Sequence, residues 1–126
     1  MNIRFRYMYR DGANYKSWGA VIFSNQENVN LMTMKGRLQG AFLVDGTFVA
    51  DQIRIPEVFL CLDWGIDQND HCLHEFVSLE ETSDAADDKY ARSLLVFVLE
   101  VEAAAKIGWY GFTPSDEAKI RFKILC

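Results

Sequence analysis

The chain is expected to fold as an α+β domain built from an N-terminal antiparallel β-hairpin, a helix, short further strands, and a C-terminal helix packed on the sheet. Three observations predict this. Ile3, Phe5, Tyr7 and Tyr9 alternate with Arg4, Arg6, Met8 and Arg10, the two-residue period of a half-buried strand. Leu31, Met34, Leu38 and Phe42 recur at helical spacing behind a capping Asn30. Between Lys89 and Lys106, the residues Leu94, Phe97, Val98, Val101, Ala104 and Ala105 fall on one side of a helix that stops at Gly108.

Each element has a local reason. The turn residues Asp11-Gly12-Ala13-Asn14 separate the first strand from Tyr15 to Phe23, a run rich in aromatic and β-branched residues, so the two pair as a hairpin. Arg4, Arg6 and Arg10 then share one face of the first strand, where like charges need partners. In the first helix Lys35, Arg37 and Gln39 turn outward. Gly36 and Gly40 weaken that helix, and they read as poor propensity rather than as a packing motif. After Val44-Asp45-Gly46-Thr47, the segments Phe48 to Ala50 and Ile53 to Ile55 read as short strands, with Pro56 marking an edge or an end. Val58 to Leu62 reads as a buried strand and Thr82 to Asp88 as the flexible piece.

The span Lys89 to Lys106 also fits a strand, with Leu95, Phe97, Leu99 and Val101 on one side. The helix is preferred because Ala103-Ala104-Ala105-Lys106 and the acidic pair Asp87-Asp88 at its positive end agree with it. Thr113 to Glu117 makes a good helix start, whereas Lys119 to Leu125 alternates like a strand, so helix and strand both stay open there. The aromatic group Trp109-Tyr110-Gly111-Phe112 reads as core or interface, because no basic run accompanies it.

With 126 residues, half of them hydrophobic, the chain fits one domain, 1–126, with no linker and no repeat. The net charge is −5, so nucleic acid is not the expected ligand. No apolar run approaches the ~20 residues that span a bilayer, which excludes a membrane helix. No signal-peptide core follows the first methionine, and the odd set Cys61, Cys72 and Cys126 implies reduced thiols; a cytoplasmic location is expected.

Charge is distributed unevenly. Residues 1–56 carry +3, residues 57–88 carry −10 without one Lys or Arg, and residues 89–126 carry +2. Fields of opposite sign tend to meet. The acidic window is therefore expected to neutralise the arginine strand, in the same molecule, in a second copy, or through a basic protein partner.

That window also contains both histidines. In Asp67-Gln68-Asn69-Asp70-His71-Cys72-Leu73-His74-Glu75, two imidazoles three residues apart share one side of a helical turn. Asp70, His71, His74 and Glu75 are thus candidate ligands for a divalent metal such as zinc, manganese or iron. Without metal the same groups suit acid–base work, since surrounding negative charge favours the protonated imidazole. The pattern departs from His-Glu-x-x-His and the chain has no third histidine, so histidines bonded to structural carboxylates remain the plainer reading. No nucleophile elbow or phosphate-cradling glycine loop is present, and the absence of a cofactor is the default expectation.

The residues Arg6-Tyr7-Met8-Tyr9-Arg10-Asp11, Asn14-Tyr15-Lys16, Gly19, Val21 to Asn25, Asp70-His71 and His74-Glu75-Phe76 resemble a family of small bacterial hypothetical proteins of unassigned function. The likeness covers roughly the first two thirds of the chain. Such proteins resemble those carried on mobile elements, phages or integron cassettes, which implies an accessory role and supplies no functional residues.

Three functional classes follow. The first is an interaction module with an acidic central segment, expected as a homodimer. The second is a metal-binding protein or metal-dependent hydrolase built on His71 and His74. The third is a small anionic-ligand binder in which Arg4, Arg6, Arg10, Tyr7 and Trp64 converge, with Tyr9, Tyr15 and Trp18 as further aromatic lining.

Overall fold

The computed structural model describes residues 1–10, 14–58 and 73–110. Strands β1 (Asn2–Arg10) and β2 (Lys16–Phe23) form the expected antiparallel hairpin, in the register Ile3 to Phe23 through Arg10 to Lys16. Helix α1 (Leu31–Ala41) follows, then the two-residue strand β3 (Thr47–Phe48), a 3₁₀ turn at Ala50–Ile53, strand β4 (His74–Thr82) and helix α2 (Leu94–Ile107). The three pairings among the described strands are antiparallel and the sheet order is β2-β1-β4-β3, so β4 lies directly beside the arginine strand.

One face of the sheet carries both helices. Ile3, Phe5 and Tyr7 from β1 and Val21 and Phe23 from β2 meet Met34 and Leu38 from α1 and Leu94, Phe97, Val98 and Val101 from α2. Phe97 stacks on Phe23 with ring centroids 4.3 Å apart and meets Phe5 edge-on at 5.1 Å. Aromatic pairs of this kind add ~0.5–1.5 kcal/mol each to the burial of their apolar area. The Tyr7 ring lies over Gly19, where an added Cβ would sit 2.7 Å from the ring carbon Cζ.

Both helices are capped as the sequence indicates. The Asn30 side chain accepts from the Thr33 N–H at 3.0 Å, and Gly108 closes α2 at φ 109°. A Cβ on Gly36 or Gly40 would meet nothing within 4 Å, so these glycines make no close approach and only weaken α1.

Four expectations are corrected. Ile53 to Ile55 forms no strand: Ala50–Ile53 is the 3₁₀ turn, and Arg54 leaves it in the left-handed region at φ 58°. Of Phe48 to Ala50, only Phe48 pairs, opposite His74. Helix α2 begins at Leu94 rather than near Lys89, because Ser93 caps it by accepting from Val96 N–H while Asp88 turns back to Arg92. The acidic Thr82 to Asp88 segment is lashed down: Arg4 holds Asp84, and Asp87 exchanges hydrogen bonds with the backbone of Ile22. The expectations for residues 59–62 and 113–125, and for all three cysteines, lie outside the described residues.

Candidate functional site

The arginines of β1 face away from the helices, and β4 supplies their partners. Antiparallel pairing sets Arg4 opposite Glu80, Arg6 opposite Ser78 and Met8 opposite Glu75. Arg4 reaches Asp84 at 2.6 Å and Glu80 at 3.5 Å, Arg6 reaches Glu80 at 3.3 Å, and Arg10 reaches Glu75 at 3.2 Å. The Ser78 hydroxyl, donating at 2.9 Å, and then Arg6 hold the Glu80 carboxyl below the usual carboxylate range. The three β1 arginines thus find carboxylate partners, Glu75, Glu80 and Asp84, within the same molecule. These pairs are partly exposed and screened by solvent, so they add little to stability and mainly fix the register.

This arrangement bears on the anionic-ligand constellation. Tyr7 lies on the opposite face of the sheet from Arg4, Arg6 and Arg10, buried, with its hydroxyl donating to the Pro56 carbonyl at 2.5 Å. Burial, reinforced by the charge of Asp87, pushes its phenol well above the ordinary tyrosine range. The sheet itself separates Tyr7 from the three guanidinium groups, and Trp64 lies outside the described residues. Exposed Trp18 does stand beside Arg6, whose guanidinium carbon is 5.8 Å from the ring centroid.

Of the metal candidates, Asp70 and His71 are outside the described residues. His74 opens strand β4 instead of sitting on a helical turn. Its imidazole is fully buried among Tyr9 (5.4 Å between centroids), Tyr7 (6.0 Å) and Phe48 (6.3 Å), and its Nε2 accepts the Val58 N–H at 3.0 Å. Glu75 is the next residue on the strand, so its side chain leaves from the other face, toward Arg10. His74 and Glu75 therefore do not converge. Among the described residues, no group of three or more His, Cys, Asp or Glu could hold a metal ion.

Two features escaped the sequence. The first is Arg92, whose side chain is 3 % exposed and whose donors are engaged by five acceptors. Asp88, equally buried, takes Nε and Nη2 at 2.9 Å, Glu100 takes Nη1 at 2.6 Å, and the carbonyls of Ile53 and Arg54 accept at 2.8 and 2.9 Å. The planar group also lies against Phe97 (5.2 Å), Tyr90 (5.4 Å) and Phe23 (5.6 Å). Burial raises the Asp88 carboxyl, but the hydrogen bonds from Arg92 outweigh it and the group lies below the usual range. This centre joins the 3₁₀ turn, the segment before α2 and α2 itself. Beside it opens a cavity of about 460 Å³ bordered by Ala20, Arg54, Pro56, Asp87, Lys89 and Tyr90. Its charges are mixed, and Arg54 is already committed to Glu100 and stacked 4.2 Å over Tyr90. The available signal was the Asp88-to-Arg92 spacing immediately before a Ser93 cap.

The second feature is the outward side of α2. While Leu94, Phe97, Val98, Val101 and Ala104 are buried, Val96, Leu99 and Ile107 are 39, 51 and 67 % exposed, with Ala103 exposed between them. Residues three and four apart share a helix face, so these four form a stripe. The glutamates flanking it are held aside: Glu100 by Arg92 and Arg54, Glu102 by Arg37. No protein-family model, curated protein or solved structure matches the chain.

Proposed function

We propose that the protein is an interaction module that works by association rather than by catalysis, the expected accessory role among them. The supporting observation is the apolar outward side of α2, with Val96, Leu99 and Ile107 exposed on a helix whose inner side already fills the core. Contiguous exposed apolar surface in a folded domain marks contact with another macromolecule. The charge pairing between β1 and β4 refines the reading, because Glu75, Glu80 and Asp84 are engaged by the β1 arginines of the same molecule. Association then rests on apolar burial, with charge in a secondary role.

The test is the hydrodynamic size of the chain in extracts of cells that naturally produce it, for the native sequence and for Leu99→Glu. The native chain is expected in a species larger than its monomer, and Leu99→Glu at monomer size with an unchanged circular dichroism spectrum. Monomer size for both contradicts the proposal.

A further inference from the structure

We infer that the occupant of the α2 stripe is a second copy of this chain, its α2 running antiparallel to the first across a two-fold axis near Val101. The inference rests on the interaction-module reading and names the partner. Val96, Leu99, Ala103 and Lys106 recur at three- and four-residue intervals, the spacing of a two-helix seam, with Ile107 adjoining its end. In the antiparallel register Leu99 of each copy lies over the small Ala103 of the other, so large meets small at the two positions nearest the axis. The two ends are complementary in charge. Glu27 sits at the N-terminus of α2, its Oε2 accepting from the Ser93 hydroxyl at 3.0 Å, and Lys106 occupies the last turn. Antiparallel contact brings the Lys106 end of each helix to the Glu27 end of its mate, twice per dimer, whereas a parallel pair would set like charge beside like. Glu100 and Glu102 do not oppose the approach, since Arg54, Arg92 and Arg37 hold them in ion pairs within each copy.

The experiment measures the mass of the purified full chain by size exclusion with light scattering over a dilution series. Four versions are compared: native, Leu99→Glu, Lys106→Glu, and Lys106→Glu combined with Glu27→Lys. The native chain is expected to be a dimer. Leu99→Glu is expected to weaken it by about thirtyfold or more, as loss of a central apolar anchor does. Lys106→Glu is expected to weaken it roughly threefold to tenfold, and the double exchange to restore it to within about twofold. A purified monomer at every concentration overturns the inference; if the native chain still runs large in cell extracts, the broader interaction reading survives with a different partner. A dimer indifferent to Leu99→Glu also overturns it by placing the interface elsewhere. Failure of the charge exchange to rescue, with Leu99→Glu still disruptive, overturns the antiparallel arrangement.

Discussion

Arg92 shows how much one side chain can tie together in a domain of this size. It spans the 3₁₀ turn, Asp88 and Glu100, and with Asp88 it is nearly inaccessible to solvent. Removing one member of a buried pair strands the other, so Arg92→Leu is expected to cost ~3–5 kcal/mol, read as a shift of the urea unfolding midpoint. A change below ~1 kcal/mol would mean that Asp88 finds water or another partner. Because the Asp88 carboxyl is depressed in the folded state, its contribution is complete above the ordinary aspartate value of about 4 and disappears as pH falls through the lower folded value. Stability measured from pH 6 down to pH 2 should fall, and less steeply in Asp88→Asn, whose starting stability is already lower. Gly19→Ala is a second residue-scale prediction: its methyl must displace the Tyr7 ring, whose hydroxyl is anchored to Pro56, at a cost of ~1–3 kcal/mol in the same assay. Little of this was legible beforehand: the Asp88-to-Arg92 spacing before Ser93 hints at an ion pair but not at its burial. A buried arginine has no pattern of its own, and nothing local announces that a tyrosine ring will cross a glycine on the neighbouring strand.

At the scale of elements, the hairpin and helix α1 were legible from their periodicities, whereas α2 also fitted a strand and was assigned from its alanine run and end charges. Strand β4 was not legible, and the reason lies at residue 77. Tyr7 pairs with Phe76 while Arg6 pairs with Ser78, so Val77 is an extra residue that bulges from the ladder. The bulge changes the spacing of the core-side residues from two, His74 to Phe76, to three, Phe76 to Leu79. Three-residue spacing resembles a helix and hides the strand period. The pairing of the arginines with the acidic window was foreseen from charge alone, but their geometry needed the strand. Helix α1 supplies a prediction in the opposite direction. Since a Cβ at Gly36 meets no neighbour, Gly36→Ala is expected to stabilise the protein by ~0.5–1 kcal/mol, seen as a higher melting temperature. A lower melting temperature would show that this face of α1 is packed against something.

Over the whole molecule, two exterior surfaces stand in contrast. The outer face of the sheet carries the β1 arginines matched to β4 carboxylates, with exposed Trp18 beside Arg6, whereas the helical layer presents a stripe of Val96, Leu99, Ala103 and Ile107. The segment charges of +3 and −10 pointed to the first surface. The second was not read from the sequence because Leu94, Phe97, Val98, Val101 and Ala104 already supply a complete core side, and nothing local marks Val96, Leu99, Ala103 and Ile107 as another. We propose that association belongs to the helical layer. The most direct test is sedimentation velocity of the native chain, Leu99→Glu and Arg6→Glu at low and at molar salt. A native dimer that persists in molar salt, survives Arg6→Glu and is lost with Leu99→Glu is the predicted result; a dimer that dissolves in salt or with Arg6→Glu, and ignores Leu99→Glu, would contradict it.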